Sequence, residues 1–261
     1  MLRKRIIFTL IYNHGFYNQS RNFRLQKVGD LNWLEKNYKF QNIAFSLDEL
    51  IVLNASKGEK RMDEFALEIS NLVHNVFIPI AAGGGIKTLK DAELLFNSGA
   101  DKIVLNSAFY EAPALINELV KIYGAQSVIA SIDYKTNNSV NEVYINDGQI
   151  KLDISLDKYI QHIESLNIGE IYLNSIDKDG TGFGYDFETI LRVVNKISVP
   201  LIIVGGAGNE HHLIDGLKIN GVSAVATANL FNFIGDGLPK AREKIIANGE
   251  NIANWNVVFA K

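Results

Sequence analysis

The sequence predicts a closed (β/α)₈ barrel of the TIM type. Eight short apolar runs alternate with amphipathic stretches along 261 residues. The runs are mostly continuous in Ile, Val and Leu, which is typical of parallel strands covered on both faces. Two glycine-rich turns each join an apolar run to a helical pattern, and barrels of this length commonly form one domain. An open, doubly wound sheet is the alternative architecture for the same alternation.

The predicted elements follow one another without a linker or low-complexity tract, so we expect one domain over residues 1–261. Asp30 precedes the first helical stretch, and its short acceptor side chain predicts an N-cap. The segment KAREK, 240–244, is predicted to be a solvated helical face. The predicted strands are 5–11, 49–54, 76–82, 102–106, 127–133, 170–175, 199–204 and 223–228. Amphipathic helical stretches are found at 62–76, 88–99, 112–124 and 155–167.

An internal repeat accompanies the two glycine-rich turns. The proline and glycines of 79–85 recur at 200–206, 121 residues later. GADKIVLNSAF then matches GVSAVATANLF at a spacing of 122 residues. Since half a barrel of this length has about that size, the repeat predicts two duplicated half-barrels. Their approximate bounds are 1–124 and 125–261.

The duplicated turns predict two phosphate sites at the barrel mouth. Each turn brings backbone N–H groups to a helix N-terminus, where anions bind, and the next strand end would add a second wall. Two such sites suit a long substrate with a phosphate at each end. The alternative is that the glycines only permit tight turns. The candidate residues are Gly84, Gly85, Asn106 and Ser107 at one site, and Gly205, Gly206, Ala228 and Asn229 at the other.

Composition excludes several classes of protein. The net charge of −3 argues against a generally nucleic-acid-binding surface. The absence of cysteine excludes disulfides, thiolate metal sites and a cysteine nucleophile. We find neither a secretory signal nor an apolar run long enough to span a membrane. A cytoplasmic protein without membrane or nucleic-acid partners is therefore expected.

Several motifs together resemble the cyclase subunit of imidazole glycerol phosphate synthase. They are PIAAGGGI, GADKIVLNSA, ASID, GEIYLNSIDKDGTGFGYD, VPLIIVGGAG and ATANLF, and the likeness covers nearly the whole chain. The resemblance implies a (β/α)₈ barrel that receives ammonia from a separate glutamine amidotransferase docked on its N-terminal face. In that family, ammonia joins a ribulosyl substrate phosphorylated at both ends, which then splits and cyclises. The resemblance implies no cofactor and no metal.

The resemblance also implies roles for individual residues at the two phosphate sites. Gly85, Asn106 and Ser107 should line one site. Asn174 should contact the substrate. The residues implied at the other site are Asp179, Gly180, Gly206, Ala228 and Asn229.

One catalytic position departs from the family. The family carries an aspartate at the mouth end of strands one and five, and the pair works as general acid and base. Asp133 ends the fifth run, but the repeat spacing places Ile11 at the corresponding point of the first. An isoleucine transfers no proton, whereas each acid–base role contributes roughly 10² to 10⁴ in rate. His14 is either a loop residue, which we prefer, or a relocated base.

Two further positions near the mouth depart from the family. Gln19 stands where the family places a substrate-binding lysine, and Asn54 replaces an aspartate at the end of strand two. Arg21 or Arg24 could restore a positive charge to the first loop. These changes put the family's substrate in doubt.

Asp177 and Asp179 lie two residues apart in a glycine-rich loop. They could form a metal pair, but acids in such loops are more often turn formers, and no histidine accompanies them. We expect them to contact substrate instead.

Four charged residues begin predicted strands one, two, four and six: Arg5, Glu49, Lys102 and Glu170. Charged side chains at a barrel floor must be paired, and two of each sign can neutralise one another. The simpler interpretation is a stabilising plug. The resemblance implies instead a charged gate through which ammonia enters.

Three functions follow from these observations. The first is a cyclase-like paralogue that works with a glutaminase and supplies ammonia for amidation of a surface-polysaccharide sugar, alongside a sugar amidotransferase. The likeness to a subgroup with an apolar residue at the first aspartate position favours this function. The second is an authentic cyclase of histidine biosynthesis, and the third is a non-catalytic barrel that activates its glutaminase.

Overall fold

Eight parallel strands close into a barrel in the computed structural model, which describes residues 3–38, 43 and 45–254. Residues 1–2, 39–42, 44 and 255–261 of the predicted single domain lie outside these ranges. The strands are β1 (Arg5–Asn13), β2 (Phe16–Arg21), β3 (Arg24–Gly29), β4 (Glu49–Asn54), β5 (Ile80–Gly83), β6 (Lys102–Leu105), β7 (Val128–Asn137), β8 (Val140–Ile145), β9 (Ile150–Ser155), β10 (Glu170–Ser175), β11 (Leu201–Val204) and β12 (Val222–Thr227).

The helices lie between the barrel strands. They are α1 (Leu31–Tyr38), α2 (Met62–Asn75), α3 (Leu89–Asn97), α4 (Ala108–Glu111), α5 (Pro113–Tyr123), α6 (Leu156–Ser165), α7 (Phe187–Val194), α8 (Glu210–Lys218) and α9 (Gly237–Ala247). Within the described ranges, no helix combines the length and the apolar character that crossing a bilayer requires.

The order of strands around the barrel is β1, β4, β5, β6, β7, β10, β11 and β12, and β12 returns to β1. The pairings of β6 with β7 and of β12 with β1 join the two predicted halves. Within the second half β7 pairs with β10, with Asp133 opposite Asn174. Because the parallel ladder has no free edge, the predicted (β/α)₈ barrel is confirmed and the open sheet is wrong.

Two antiparallel hairpins were not predicted. β2 and β3 extend β1 above the barrel, and β8 and β9 extend β7 in the same way. Two of the turns carry signals that favour hairpins: NHG at 13–15 joins β1 to β2, and NDG at 146–148 joins β8 to β9. The two hairpins follow the first strand of each predicted half, so they occupy corresponding places at the mouth.

One predicted helix end agrees with the structure, and one predicted helix face does not. Asp30 caps α1 as predicted, because its Oδ1 accepts a hydrogen bond of 2.9 Å from the Trp33 amide. The prediction of a solvated helical face at 240–244 is wrong at two of its five positions, 241 and 242, which are buried. Arg242 is only 3% exposed and forms a 2.9 Å ion pair with Asp48, since this position of α9 points toward the barrel.

The barrel interior is an apolar layer between two polar ends. Ile7, Ile51, Val104 and Ile129 meet there from four strands, together with the ring of Tyr172. The hydroxyl of Tyr172 lies 3.0 Å from the Thr9 hydroxyl of β1. Such filling is usual for barrels of eight strands, and it separates the floor from the mouth.

Candidate active site and barrel floor

The carboxyl ends of the barrel strands open into a cavity of about 690 Å³. Its volume lies in the range of small-molecule sites, and its position is where barrels of this kind hold their chemistry. The structure brings together at this cavity residues that are far apart in the chain. Predicted residues among its lining are Ile11, Asn54, Gly84, Gly85, Asn106, Ser107, Asp133, Asn174, Asp179 and Ala228.

Asp133 lies at the mouth end of β7 and is only 7% exposed. Its carboxylate accepts hydrogen bonds from the side-chain amides of Asn174, at 3.0 Å, and Asn106, at 3.3 Å. Burial raises the pKa of Asp133 to about 7; the Asn174 hydrogen bond opposes this shift, and the charges of Asp147 and Asp179 add to it. A carboxyl group with this pKa exchanges its proton near neutral pH, as a general acid or base must.

Ile11 lines the same cavity from β1, which is four strands from β7 in either direction around the barrel. The wall opposite Asp133 therefore presents an apolar side chain. His14 does not replace the missing acid. It lies exposed in the turn after β1 and does not itself line the cavity, although its Nε2 lies 3.1 Å from the carbonyl oxygen of Lys57, which does.

The first glycine turn follows β5 with two residues in the left-handed region. Gly84 has a φ of +94°, and a Cβ there would lie 2.3 Å from the carbonyl oxygen of Asn54. Gly85 has a φ of +93°, and a Cβ there would meet the Lys60 side chain at 2.7 Å. This turn therefore requires glycine both for its conformation and for the close approach of neighbouring groups.

The second glycine turn follows β11 and lines a separate, small cavity of about 20 Å³. Gly206 has a φ of +105°, and a Cβ there would lie 2.0 Å from the Gly184 carbonyl oxygen. Gln19 also lines this cavity, and its Oε1 accepts a hydrogen bond of 2.8 Å from the Leu230 amide. The predicted residues found around it are Asp179, Gly180, Gly205, Gly206, Ala228 and Asn229.

Asp179 binds the β2–β3 hairpin, and Asp177 binds the end of β7, from which the β8–β9 hairpin continues. Asp179 Oδ2 accepts hydrogen bonds from the Ser20 hydroxyl, at 2.5 Å, and from the Phe23 amide, at 3.0 Å. Asp177 Oδ2 accepts a 2.7 Å hydrogen bond from the Thr136 amide. The loop after β10 thus fixes the hairpins that extend β1 and β7. In this arrangement the two carboxylates do not converge on a common metal position.

Other predicted loop residues lie away from the cavities. Arg21 and Arg24 are opposite each other in the β2–β3 ladder, at the end of the hairpin. Both are exposed, and neither lines either cavity. They therefore do not replace the lysine that the resemblance implies at position 19.

Sequence reasoning missed Lys60 and Asp147, which both line the larger cavity. The Lys60 ammonium lies 3.1 Å from the Asp147 carboxylate at the turn of the β8–β9 hairpin. The NDG turn signal indicates the hairpin, but nothing local to either residue indicates that they meet.

The barrel floor holds a closed ring of four charged side chains, each on the first residue of its strand. Arg5 pairs with Glu49 at 2.7 Å and with Glu170 at 2.6 Å. Lys102 pairs with Glu49 at 3.1 Å and with Glu170 at 2.8 Å. Burial disfavours the charged form of Glu170, but hydrogen bonds from Arg5 and the two cations outweigh it and lower its pKa. The ring therefore closes the lower end of the barrel with matched charge.

The chain matches a known protein family and is similar in sequence to named members of it. Residues 25–235 match the family described as Histidine biosynthesis protein. The chain is 42% identical over 256 residues to a provisionally named imidazole glycerol phosphate synthase subunit hisF2 of Parasynechococcus marenigrum, covering 98% of this chain and 95% of that protein. It is 33% identical over 251 residues to the imidazole glycerol phosphate synthase subunit HisF of Dictyoglomus thermophilum, covering 95% and 98%. For the HisF subunit of Pyrobaculum aerophilum the identity is 38% over 186 residues, covering 71% and 73%.

Proposed function

The chain belongs to the histidine biosynthesis protein family as a HisF-type cyclase subunit of imidazole glycerol phosphate synthase, and from this premise we propose that it is a specialised paralogue. It accepts ammonia from a partner glutaminase and supplies it for amidation of a surface-polysaccharide sugar. The observation that carries the proposal is the contrast between the two ends of the barrel. The floor ring is complete, whereas Ile11 lies opposite Asp133 at the mouth.

The mouth supports only part of the family's proton chemistry. Ammonia attack, elimination and ring closure each require a proton to move, and a cyclase uses acids on both sides of its substrate. Asp133 is suited to one such role because its pKa is raised to about 7 by burial. Ile11 supplies nothing to the other side. The missing group corresponds to roughly 10² to 10⁴ in rate.

The floor and interior suit the passage of neutral ammonia. A bare ammonium ion in the apolar layer around Ile7, Ile51 and Ile129 would lose its hydration without a partner charge. Ammonia carries no charge and crosses such a layer at much lower cost. In this proposal the ring of Arg5, Glu49, Lys102 and Glu170 is the gate, and one of its ion pairs separates as ammonia enters.

The proposed partner is a glutamine amidotransferase on the N-terminal face. Ammonia released into water at neutral pH would protonate and diffuse away, so the glutaminase must seal the floor. A seal of this kind needs an interface of standard size, about 800 Å² per partner. A sugar amidotransferase, as a third protein, would use the ammonia, and a phosphorylated small molecule would occupy the mouth. A gene for such an amidotransferase beside this one would support the proposal.

Authentic cyclase activity in histidine biosynthesis is the second candidate. Asp133 and both glycine turns favour it, since Asp133 and the first turn line the larger cavity and the second turn lines the smaller one. A barrel that only activates its glutaminase is the third candidate.

Turnover of the family's doubly phosphorylated ribulosyl substrate with ammonium salts separates the first two candidates. We expect turnover at least about 100-fold below that of an authentic cyclase measured in parallel. The Asp133→Asn variant gives the background rate. Turnover comparable to that of the authentic enzyme would refute the paralogue proposal.

Retention and activation of a glutaminase by the purified chain tests the third candidate. Activation of glutamine hydrolysis without transfer of the nitrogen to any sugar acceptor, with the sugar amidotransferase present, would favour the non-catalytic barrel. Transfer that depends on this chain would favour the paralogue.

A further inference from the structure

Two polar contacts hold the turn of the β8–β9 hairpin against Lys60, in the loop after β4, and Ser107, which follows β6. Lys60 Nζ lies 3.1 and 3.2 Å from the two carboxylate oxygens of Asp147. The Asn146 amide donates a 3.0 Å hydrogen bond to the hydroxyl oxygen of Ser107. Ser107 is one of the residues expected to bind phosphate. The hairpin therefore places a carboxylate and a backbone donor where a phosphate is expected.

Two hydrogen bonds with Asn54, the last residue of β4, hold Lys60 in position. The Asn54 side-chain amide donates a 2.6 Å hydrogen bond to the Lys60 carbonyl, and the Asn54 carbonyl accepts a 2.8 Å bond from the Lys60 ammonium. A carboxylate at position 54 could not donate the first of these bonds. The Lys60 stem also passes so close to Gly85 that a Cβ there would lie 2.7 Å from it. The replacement of an aspartate by Asn54 thus sets the position of this cation.

We propose that Lys60 is an additional phosphate-binding residue of the first site, and that Asp147 is an internal anion which the substrate phosphate must displace. This inference rests on the proposed function, because it assumes that the first glycine turn binds a phosphate group. On displacement, the Ser107 hydroxyl donates to the phosphate instead of to Asn106 Oδ1, which it contacts at 3.4 Å. The β8–β9 hairpin loses its contact with Lys60, whereas Ser107 can still accept from the Asn146 amide. The hairpin is then a lid that the Lys60–Asp147 ion pair holds at this side of the mouth and that phosphate binding loosens.

The Lys60–Asp147 ion pair is weak enough for a phosphate to replace Asp147. The side chains of Lys60 and Asp147 are 20% and 27% exposed, so water screens their attraction, and such pairs are weak. A phosphate monoester carries more charge than a carboxylate and offers three acceptor oxygens. It can accept from Lys60, Ser107 and the amides of the glycine turn together, whereas Asp147 reaches only the lysine among these groups.

Titration with inorganic phosphate, followed by the backbone amide NMR signals of the full-length chain, tests the inference at each site. Gly85 and Ser107 report on the first site, and Gly206 and Asn229 report on the second. We expect Asp147→Asn to tighten phosphate binding at the first site about fivefold, because a weak competitor is removed. We expect Lys60→Met to weaken binding there about tenfold, because a charged hydrogen bond is lost. Neither change should alter the second site.

A double variant distinguishes competition from general charge. If Asp147 competes through Lys60, the gain from Asp147→Asn should disappear in the Lys60→Met background. Asp153→Asn is the matched control, since it removes an equal charge from an exposed position of the same hairpin. Lys151→Met is the corresponding control for the lysine, because Lys151 is more than half exposed and pairs with Glu142.

Three results would overturn the inference. If Asp147→Asn leaves the first-site affinity unchanged while phosphate still binds there, the inference is wrong and the proposed function stands. An equal gain from Asp153→Asn would show that only net charge matters. If phosphate reaches neither site in any variant at millimolar concentration, both the inference and the phosphate sites of the proposed function are wrong.

Discussion

Ile11 and Asp133 line one cavity from β1 and β7, which lie on diametrically opposite sides of the barrel. The structure thus places the apolar side chain across the cavity from a strand end that carries a buried carboxyl group. By resemblance, both positions carry aspartates in a cyclase, so this pair marks the point at which the mouth departs from the family. The first prediction tests it directly.

Replacing Ile11 with Asp should give ammonia-dependent cyclase activity above the level of the unmodified chain. The new carboxyl group would restore a proton donor or acceptor opposite Asp133. Product formation from the doubly phosphorylated substrate with ammonium salts is the measurement. Ile11→Asn is the control, because it is polar and of similar shape to the aspartate but transfers no proton.

A negative result for Ile11→Asp would not establish authentic cyclase activity, since Gln19 and Asn54 also differ from the family. High activity of the unmodified protein would contradict the argument from the missing carboxylate. Equal activity in the Asp and Asn variants would show that the gain does not come from proton transfer.

The raised pKa of Asp133 predicts a pH-dependent cost to folding. Its folded pKa of about 7 lies above the value of 3.8 expected in the unfolded chain. The unfolded chain therefore loses this proton first, and stability falls as the pH rises from about 4 to about 7. Above pH 7 the penalty is complete, at up to about 4 kcal/mol.

Asp133→Asn should remove this penalty. Thermal unfolding should show the variant gaining stability relative to the unmodified chain as the pH rises from 4 to 8. Asp153→Asn, at an exposed position, is the control and should show no such trend. A constant difference between Asp133→Asn and the unmodified chain across this range would mean that Asp133 is ionised throughout.

The glycine turns predict two bound anions in a crystal grown in abundant phosphate, one near Gly85 and one near Gly206. Gly206→Ala should abolish only the second, because its Cβ would collide with the Gly184 carbonyl oxygen. Gly249→Ala is a matched control for backbone strain, since Gly249 has a φ of +82° and nothing lies within 4 Å of a Cβ there. Gly249→Ala should lower the free energy of unfolding by about 1 kcal/mol, and Gly206→Ala should lower it by more.

Empty sites at both glycine turns under these conditions would count strongly against phosphate recognition. Loss of both anions in Gly206→Ala would instead indicate that the variant disturbs the whole mouth. Amide NMR spectra of the variant would distinguish a local from a global change.

Lys102→Met should disturb the charged ring at the floor and uncouple the use of ammonia by this chain from glutamine hydrolysis by the partner. The change leaves Glu49 and Glu170 with Arg5 alone, and removing one partner of a buried pair is destabilising. We expect the variant to accept free ammonium salts in whatever reaction it supports, but to lose dependence on glutamine hydrolysis. Lys151→Met, which breaks an exposed pair with Glu142, should leave both activities unchanged.

Co-purification with the glutaminase from the native host, followed by a glutaminase assay, measures the coupling. Normal coupling in Lys102→Met would show that the ring is a stabilising plug. A chain that neither retains a glutamine amidotransferase nor alters its activity would end the ammonia-channel proposal.

The structure shows which features were accessible to sequence reasoning. The eight barrel strands, the cap at Asp30 and the two glycine turns each depend on a few neighbouring residues, and their patterns are local. The hairpins have local turn signals at 13–15 and 146–148, but they were not predicted because the apolar runs of β1 and β7 each fit a single strand followed by a loop. Arg242 was misjudged because a short charged segment does not show which of its members points inward.

The sequence alone determined the barrel, its two glycine turns and the absence of a carboxyl group at position 11, because backbone conformation and side-chain identity are written locally. Only the tertiary structure decided which distant groups meet. Lys60 reaches Asp147, 87 positions along the chain, because a hairpin folds back over the mouth. Closure of the barrel joins Arg5 to Glu170, and burial between β7 and β10 raises the pKa of Asp133. Electrostatic energies depend on separation and solvent access in space, which sequence spacing does not specify.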